Sequence, residues 1–138
     1  MLNRKLRHAG MIVLALATAL TGVAIIAPGA SAATLCVERT FGESNTYQQC
    51  VRDEQILLND LRSVGAAGPN QTLTVDGYYG PHTFSDVESF QTAYHGSPYH
   101  LAVDGITGPQ TWGVLCIADA SNGFTGVYWH DAGCTPEG

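Results

Sequence analysis

Beyond residue 32 this chain of 138 residues has no lysine and only three arginines, Arg39, Arg52 and Arg62, while all twelve of its carboxylates lie there. Nine net negative charges on that stretch exclude nucleic acid and an anionic membrane as expected partners. The chain also lacks any His-Glu-x-x-His or comparable ligand spacing. His82, His95, His100 and His130 are scattered over a helix start, a loop and the tail, so neither a metal nor any other cofactor is expected. No second long apolar run follows the first one, and no C-terminal anchoring signal is visible. Carboxylates are plentiful enough that some pair could always be drawn, which makes a drawn pair poor evidence for glycosidase chemistry.

What is present begins with a basic stretch, Arg4, Lys5 and Arg7, an apolar run from Met11 to Ala27, and the small-residue pattern Ala30-Ser31-Ala32. This reads as a secretory signal peptide over 1–32, cut after Ala32. The 106 residues that remain suffice for one small domain, secreted and free of the membrane once cleaved. The four cysteines all lie in that part, and in an exported chain they read as two disulfides, leaving no thiol as nucleophile. Three connectivities are open. Local pairing, Cys36 with Cys50 and Cys116 with Cys134, would close short loops worth roughly 3 kcal/mol each. A crossed pairing would tie distant helices and arms together.

A twelve-residue phrase occurs twice, 28 residues apart: Leu73 to Phe84 and Leu101 to Trp112, identical at seven positions. Each copy is an extended apolar step, an Asp-Gly turn, a further Gly, and a helix start with Pro at its first position. Asp caps the turn's backbone N–H groups, Gly supplies positive φ, and Pro pre-sets the first helical φ. A unit of that length cannot bury its apolar face alone, so the two are expected to pack on each other and on a third element. Apolar spacing predicts that third element as a helix from Gln49 to Val64, with further helices from Pro81 to Tyr94 and from Pro109 to about Ala118. Residues 33–48 form a polar N-terminal arm, 49–118 the helical domain and 119–138 an aromatic tail. The tail, with its Asn122-Gly123 turn signal, reads as a short strand or extended arm. Glu54 is anomalous within the apolar stripe of the first helix, and is expected either to snorkel at the helix edge, to be paired, or to be a functional carboxylate.

The string Val51 to Asn59, Val75-Asp76-Gly77 with Gly80 and Thr83, Val87 with Phe90-Gln91, Val103-Asp104-Gly105 with Gly108, and Thr111-Trp112 with Leu115 resembles the peptidoglycan-binding domain of bacterial cell-wall hydrolases and carboxypeptidases. The likeness runs from about Cys50 to Cys116. It implies a mainly α, three-helix repeat bundle outside the cytoplasm that docks on the murein wall. It also implies that the first and third helices pack together, and on that ground Cys50 is expected to pair with Cys116 and Cys36 with Cys134. Glu54 and Asp86 depart from the family pattern, which usually has an apolar and a small residue there. The Ser97-Pro98-Tyr99-His100 stretch lengthens the linker between the repeats.

These residues lead to a secreted, cell-wall-associated, monomeric and non-catalytic binder of peptidoglycan, through its glycan or its stem peptide. Contacts are expected from Tyr79 and His82 at the first helix launch, Gln91, Tyr94 and His95 at the end of that helix, and Tyr99 and His100 in the loop. The competing reading on the same fold is a structural module or one that binds another extracellular protein; a small lytic enzyme ranks below it.

Overall fold

The computed structural model describes residues 34–136. The signal peptide expected over 1–32 lies outside them. Four α-helices follow a short 3-10 turn at Cys36–Glu38: α1 at Gln49–Ser63, α2 at Pro81–Ala93, α3 at Pro109–Ser121 and α4 at Val127–Asp131. The fold is mainly α, as expected, with disulfide-stapled arms at both ends.

α1 is the axis. It buries Val51, Leu57, Leu58 and Leu61 on one face, and both α3 and α4 pack against it. α2 and α3 each start from an extended Gly, Gly80 and Gly108, followed by Pro at the first helical position. There the missing N–H of proline costs nothing. α2 buries Val87 and Phe90, and α3 buries Trp112, Val114 and Leu115. Trp112 is fully enclosed, and Phe41 meets it edge to face at 6.2 Å. An apolar contact of this kind between an arm and a helix is how a small domain supplements a small core.

The N-terminal arm stitches the two Asp-Gly loops to each other. Phe41 and Thr107 exchange backbone hydrogen bonds of 2.9 and 2.8 Å, the Ser44 N–H donates to the Tyr79 carbonyl at 2.9 Å, and the Gln48 N–H donates to the Gly77 carbonyl at 2.8 Å. These bonds satisfy loop backbone that no helix reaches.

Three expectations are corrected. The disulfides are local, Cys36–Cys50 and Cys116–Cys134, with Cα separations of 5.4 and 5.5 Å; the crossed pairs Cys50–Cys116 and Cys36–Cys134 do not form. Helices α1 and α3 do pack together, yet each arm folds back on its own helix, and the arms meet through a backbone bond from the Val37 N–H to the Ala132 carbonyl. The tail contains helix α4 rather than a strand, because Asn122-Gly123 is the end of α3 and not a hairpin turn. Gly123 takes φ 86°, and the Phe124 N–H returns to the Asp119 carbonyl at 2.9 Å, the bonding of a glycine-terminated helix. Third, α3 runs three residues further than expected, to Ser121. Among the tail aromatics, Trp129 is core, donating its indole N–H to the Cys116 carbonyl at 3.0 Å.

Candidate functional site

Each Asp-Gly loop is held by one glutamine of the preceding helix, through the same set of bonds. Gln55 accepts from the N–H groups of Asp76 and Gly77, and its amide donates to Asp76 Oδ1, the Tyr78 carbonyl and Thr83 Oγ1, all within 3.1 Å. Gln91 accepts from the N–H groups of Asp104 and Gly105, and donates to Asp104 Oδ1, the Ile106 carbonyl and Thr111 Oγ1. Both glutamines are buried. Gln91 is therefore scaffold, and the expectation that it contacts ligand is corrected: its amide is spent on the loop.

Tyr79 is corrected in the same way. It has no exposed surface, and its hydroxyl donates to the Gly105 carbonyl at 2.8 Å and contacts Thr107 Oγ1 at 3.1 Å. Thr107 also bonds Glu54 Oε1. Glu54 neither snorkels nor sits at an edge, being wholly buried, and its Oε2 has no partner among the described residues. Burial pushes its carboxyl up to about 8, against a lowering from the Thr107 bond. The proton count agrees. Tyr79 spends its hydrogen on Gly105, so the single hydroxyl hydrogen of Thr107 would have to serve both Tyr79 and an ionised Glu54; a neutral carboxyl gives every contact its own hydrogen. The Glu54–Thr107–Tyr79 chain is thus a buried polar strut joining α1 to both loops.

The surface of the first loop is open. A groove of about 270 Å³ runs over it, lined by Gln55, by Gln71 to Thr74, by Asp76 and Tyr78, and by Gly80 to Thr83. His82, an expected contact, is exposed on this groove, its Nδ1 3.1 Å from Gln71 Oε1. Beside it stand two tyrosines, 49% and 45% exposed: Tyr47 and Tyr78 pack edge to face at 5.9 Å. Tyr47 lies over Gly77, where any Cβ would strike its ring. Sequence reading named neither tyrosine. Alternation along Tyr78-Tyr79 was the available signal, since only one of two adjacent side chains in an extended step can face inward.

The remaining expected contacts gather elsewhere. Tyr94, His95, Tyr99 and His100 lie past the far end of α2, about 18 Å along the helix from His82. Tyr94 and Tyr99 meet edge to face at 5.6 Å, His95 Nδ1 bonds the Leu101 carbonyl at 2.7 Å, and Gln110 donates to the Tyr99 carbonyl at 2.9 Å. Tyr94 and Tyr99 are half-buried against the core, whereas both histidines are exposed. One continuous site from His82 to His100 is not what the fold builds. Among the described residues, no three His, Cys, Asp or Glu side chains converge as a metal site.

A helix-loop unit used twice, with an open groove on the first loop, makes up most of the described domain. Residues 51–115 match the family described as "Putative peptidoglycan binding domain". It is 32% identical over 93 residues to a zinc D-Ala-D-Ala carboxypeptidase of Streptomyces albus G, a match covering 64% of this chain and 34% of that protein. It is 41% identical over 66 residues to an uncharacterized protein in the bpoA1 3' region of Kitasatospora aureofaciens, covering 48% of each. The chain therefore spans about a third and about half of these two relatives. No solved structure matches it.

Proposed function

We propose that this protein is exported, lacks catalysis of its own, and binds bacterial peptidoglycan as a monomer through the groove of the first Asp-Gly loop. The observation that carries the reading is the pairing of that groove with two half-exposed tyrosines inside or beside the family segment. Aromatic faces stack on sugar rings or peptide surfaces while nearby polar groups fix orientation. The domain layout supports it: an N-terminal segment with the marks of a signal peptide over 1–32, an arm over 33–48, the binding domain over 49–118 and a tail over 119–138. Two disulfides in so small a domain fit an oxidising, extracellular location at the wall. Co-sedimentation of the oxidised protein with insoluble peptidoglycan, beside chitin and cellulose, tests it. Selective pelleting with peptidoglycan, with no fall in turbidity of the suspension, is expected; retention in the supernatant throughout contradicts it.

A further inference from the structure

We propose that the groove on the first Asp-Gly loop seats a primary ammonium of the wall between the outer carboxylate oxygen of Asp76 and the bare ring nitrogen of His82, with Tyr47 and Tyr78 alongside. This rests on the wall-binding reading above and names the chemistry recognised there.

The groove's hydrogen-bond inventory leads to it. The hydrogens of its Gln55 amide and one of the two on its Gln71 amide are already committed. The Gln55 amide donates to Asp76, Tyr78 and Thr83, and the Gln71 amide donates to the His82 carbonyl at 3.1 Å. That second bond orients Gln71, so its carbonyl oxygen is the atom facing His82 Nδ1. An amide oxygen only accepts, so Nδ1 is the donor in this contact, and no described residue bonds Nε2. Asp76 shows the same pattern. Its Oδ1 accepts from the Tyr78 N–H at 3.0 Å and from Gln55 at 3.1 Å, while no described residue bonds its Oδ2. The Tyr78 N–H first, then the Gln55 amide, hold the Asp76 carboxyl below its ordinary value, so it stays ionised.

Besides hydroxyls of Thr72, Thr74 and Tyr78, which can donate or accept, the groove offers two unsatisfied acceptors, one of them charged, and no lysine or arginine lines it. A carboxylate or phosphate would find no cation and a like charge. A sugar hydroxyl could donate to Asp76 in a charge-assisted bond, but it has a single hydrogen and no charge of its own. A primary ammonium supplies three donors and a positive charge, and charge-assisted bonds are the stronger ones. Tyrosine faces beside the pair add attraction for the same group. Two sources in a wall carry it: the free side-chain amine of a dibasic residue in the stem peptide, and the amine of a de-N-acetylated amino sugar.

The test measures binding of the oxidised full-length protein to three preparations of the same insoluble peptidoglycan: untreated, amine-acetylated, and reductively methylated so that the positive charge remains. Untreated material should bind best, methylated material, which keeps the charge but only one N–H, should fall between, and acetylated material should bind about tenfold or more weaker than untreated. Asp76→Asn keeps Oδ1 for the turn; it should lower binding to untreated material to the acetylated level and leave acetylated binding unchanged. His82→Ala, on an exposed helix start, should shrink the same difference and serves if Asp76→Asn misfolds. Competition with a soluble lysine-containing stem tetrapeptide, and separately with an oligomer of glucosamine, assigns the source by which one releases the protein. Equal binding to untreated and acetylated peptidoglycan overturns the ammonium while leaving wall binding intact, as does release by neither competitor. Binding to none of the three preparations overturns both.

Discussion

Thr107 and Glu54 are hydrogen-bonded partners although 53 residues separate them, and their contact fixes the second Asp-Gly loop to the middle of α1. Because Glu54 is enclosed on all sides, that contact holds a carboxyl in its neutral form.

Stability should therefore fall as pH rises. Burial pushes Glu54 up to about 8; burial first, and the charge of Asp60 second, push Asp119 up to about 8 as well. Between an unfolded value near 4 and a folded value near 8, the native state binds more protons than the unfolded chain, so each unit of pH removes stability. The contribution is full at acid pH and is lost by about pH 8. Thermal unfolding should show a lower Tm at pH 8 than at pH 5, and Glu54→Gln should flatten the slope. A Tm that rises from pH 5 to pH 8 would contradict the neutral assignment.

The two glutamine clamps should cost similar amounts when cut. Gln55→Ala strips the partner from the Asp76 and Gly77 N–H groups, and Gln91→Ala does the same for Asp104 and Gly105. Leaving buried donors unpaired is worth about 2 kcal/mol or more in each case. Urea unfolding measures it, and a loss below about 0.5 kcal/mol would show that water replaces the clamp.

Peptide mapping of the unreduced protein should recover Cys36 linked to Cys50 and Cys116 linked to Cys134. Since each bridge closes a loop of its own, removing one as a paired Cys→Ser variant should cost about 3 kcal/mol and leave the other formed. Recovery of a Cys50–Cys116 peptide would overturn the local arrangement.

Gly113 lies within α3, and a methyl group there would meet nothing within 4 Å. Gly113→Ala should stabilise by about 0.5–1 kcal/mol through helix propensity alone, read as a raised urea midpoint. Destabilisation would mean that the helix face carries a contact a side chain displaces.

Local chemistry made much of this fold legible. Pro81 and Pro109 after extended glycines mark helix starts wherever they occur, and the apolar spacing of α1 needs no partner to be recognised. What the sequence left open depends on which surfaces meet. Gln55 and Gln91 sit 21 and 13 residues from the aspartates they hold, too variable a spacing to read as one device. Asn122-Gly123 carries the same signal in a hairpin and at a helix end, and only packing of Trp129 against α3 decides between them. The groove was half visible: His82 was picked out, whereas Tyr47 lay in an arm without periodicity and Tyr78 was passed over for its buried neighbour.

The most direct test of wall binding through the first loop is co-sedimentation of wild type and a Tyr47→Ala, Tyr78→Ala double variant with peptidoglycan, at matched thermal stability. Both tyrosines are about half exposed, so the variant should stay folded and its affinity fall by about tenfold or more. Unchanged pelleting by a folded double variant would place the binding surface elsewhere on the domain.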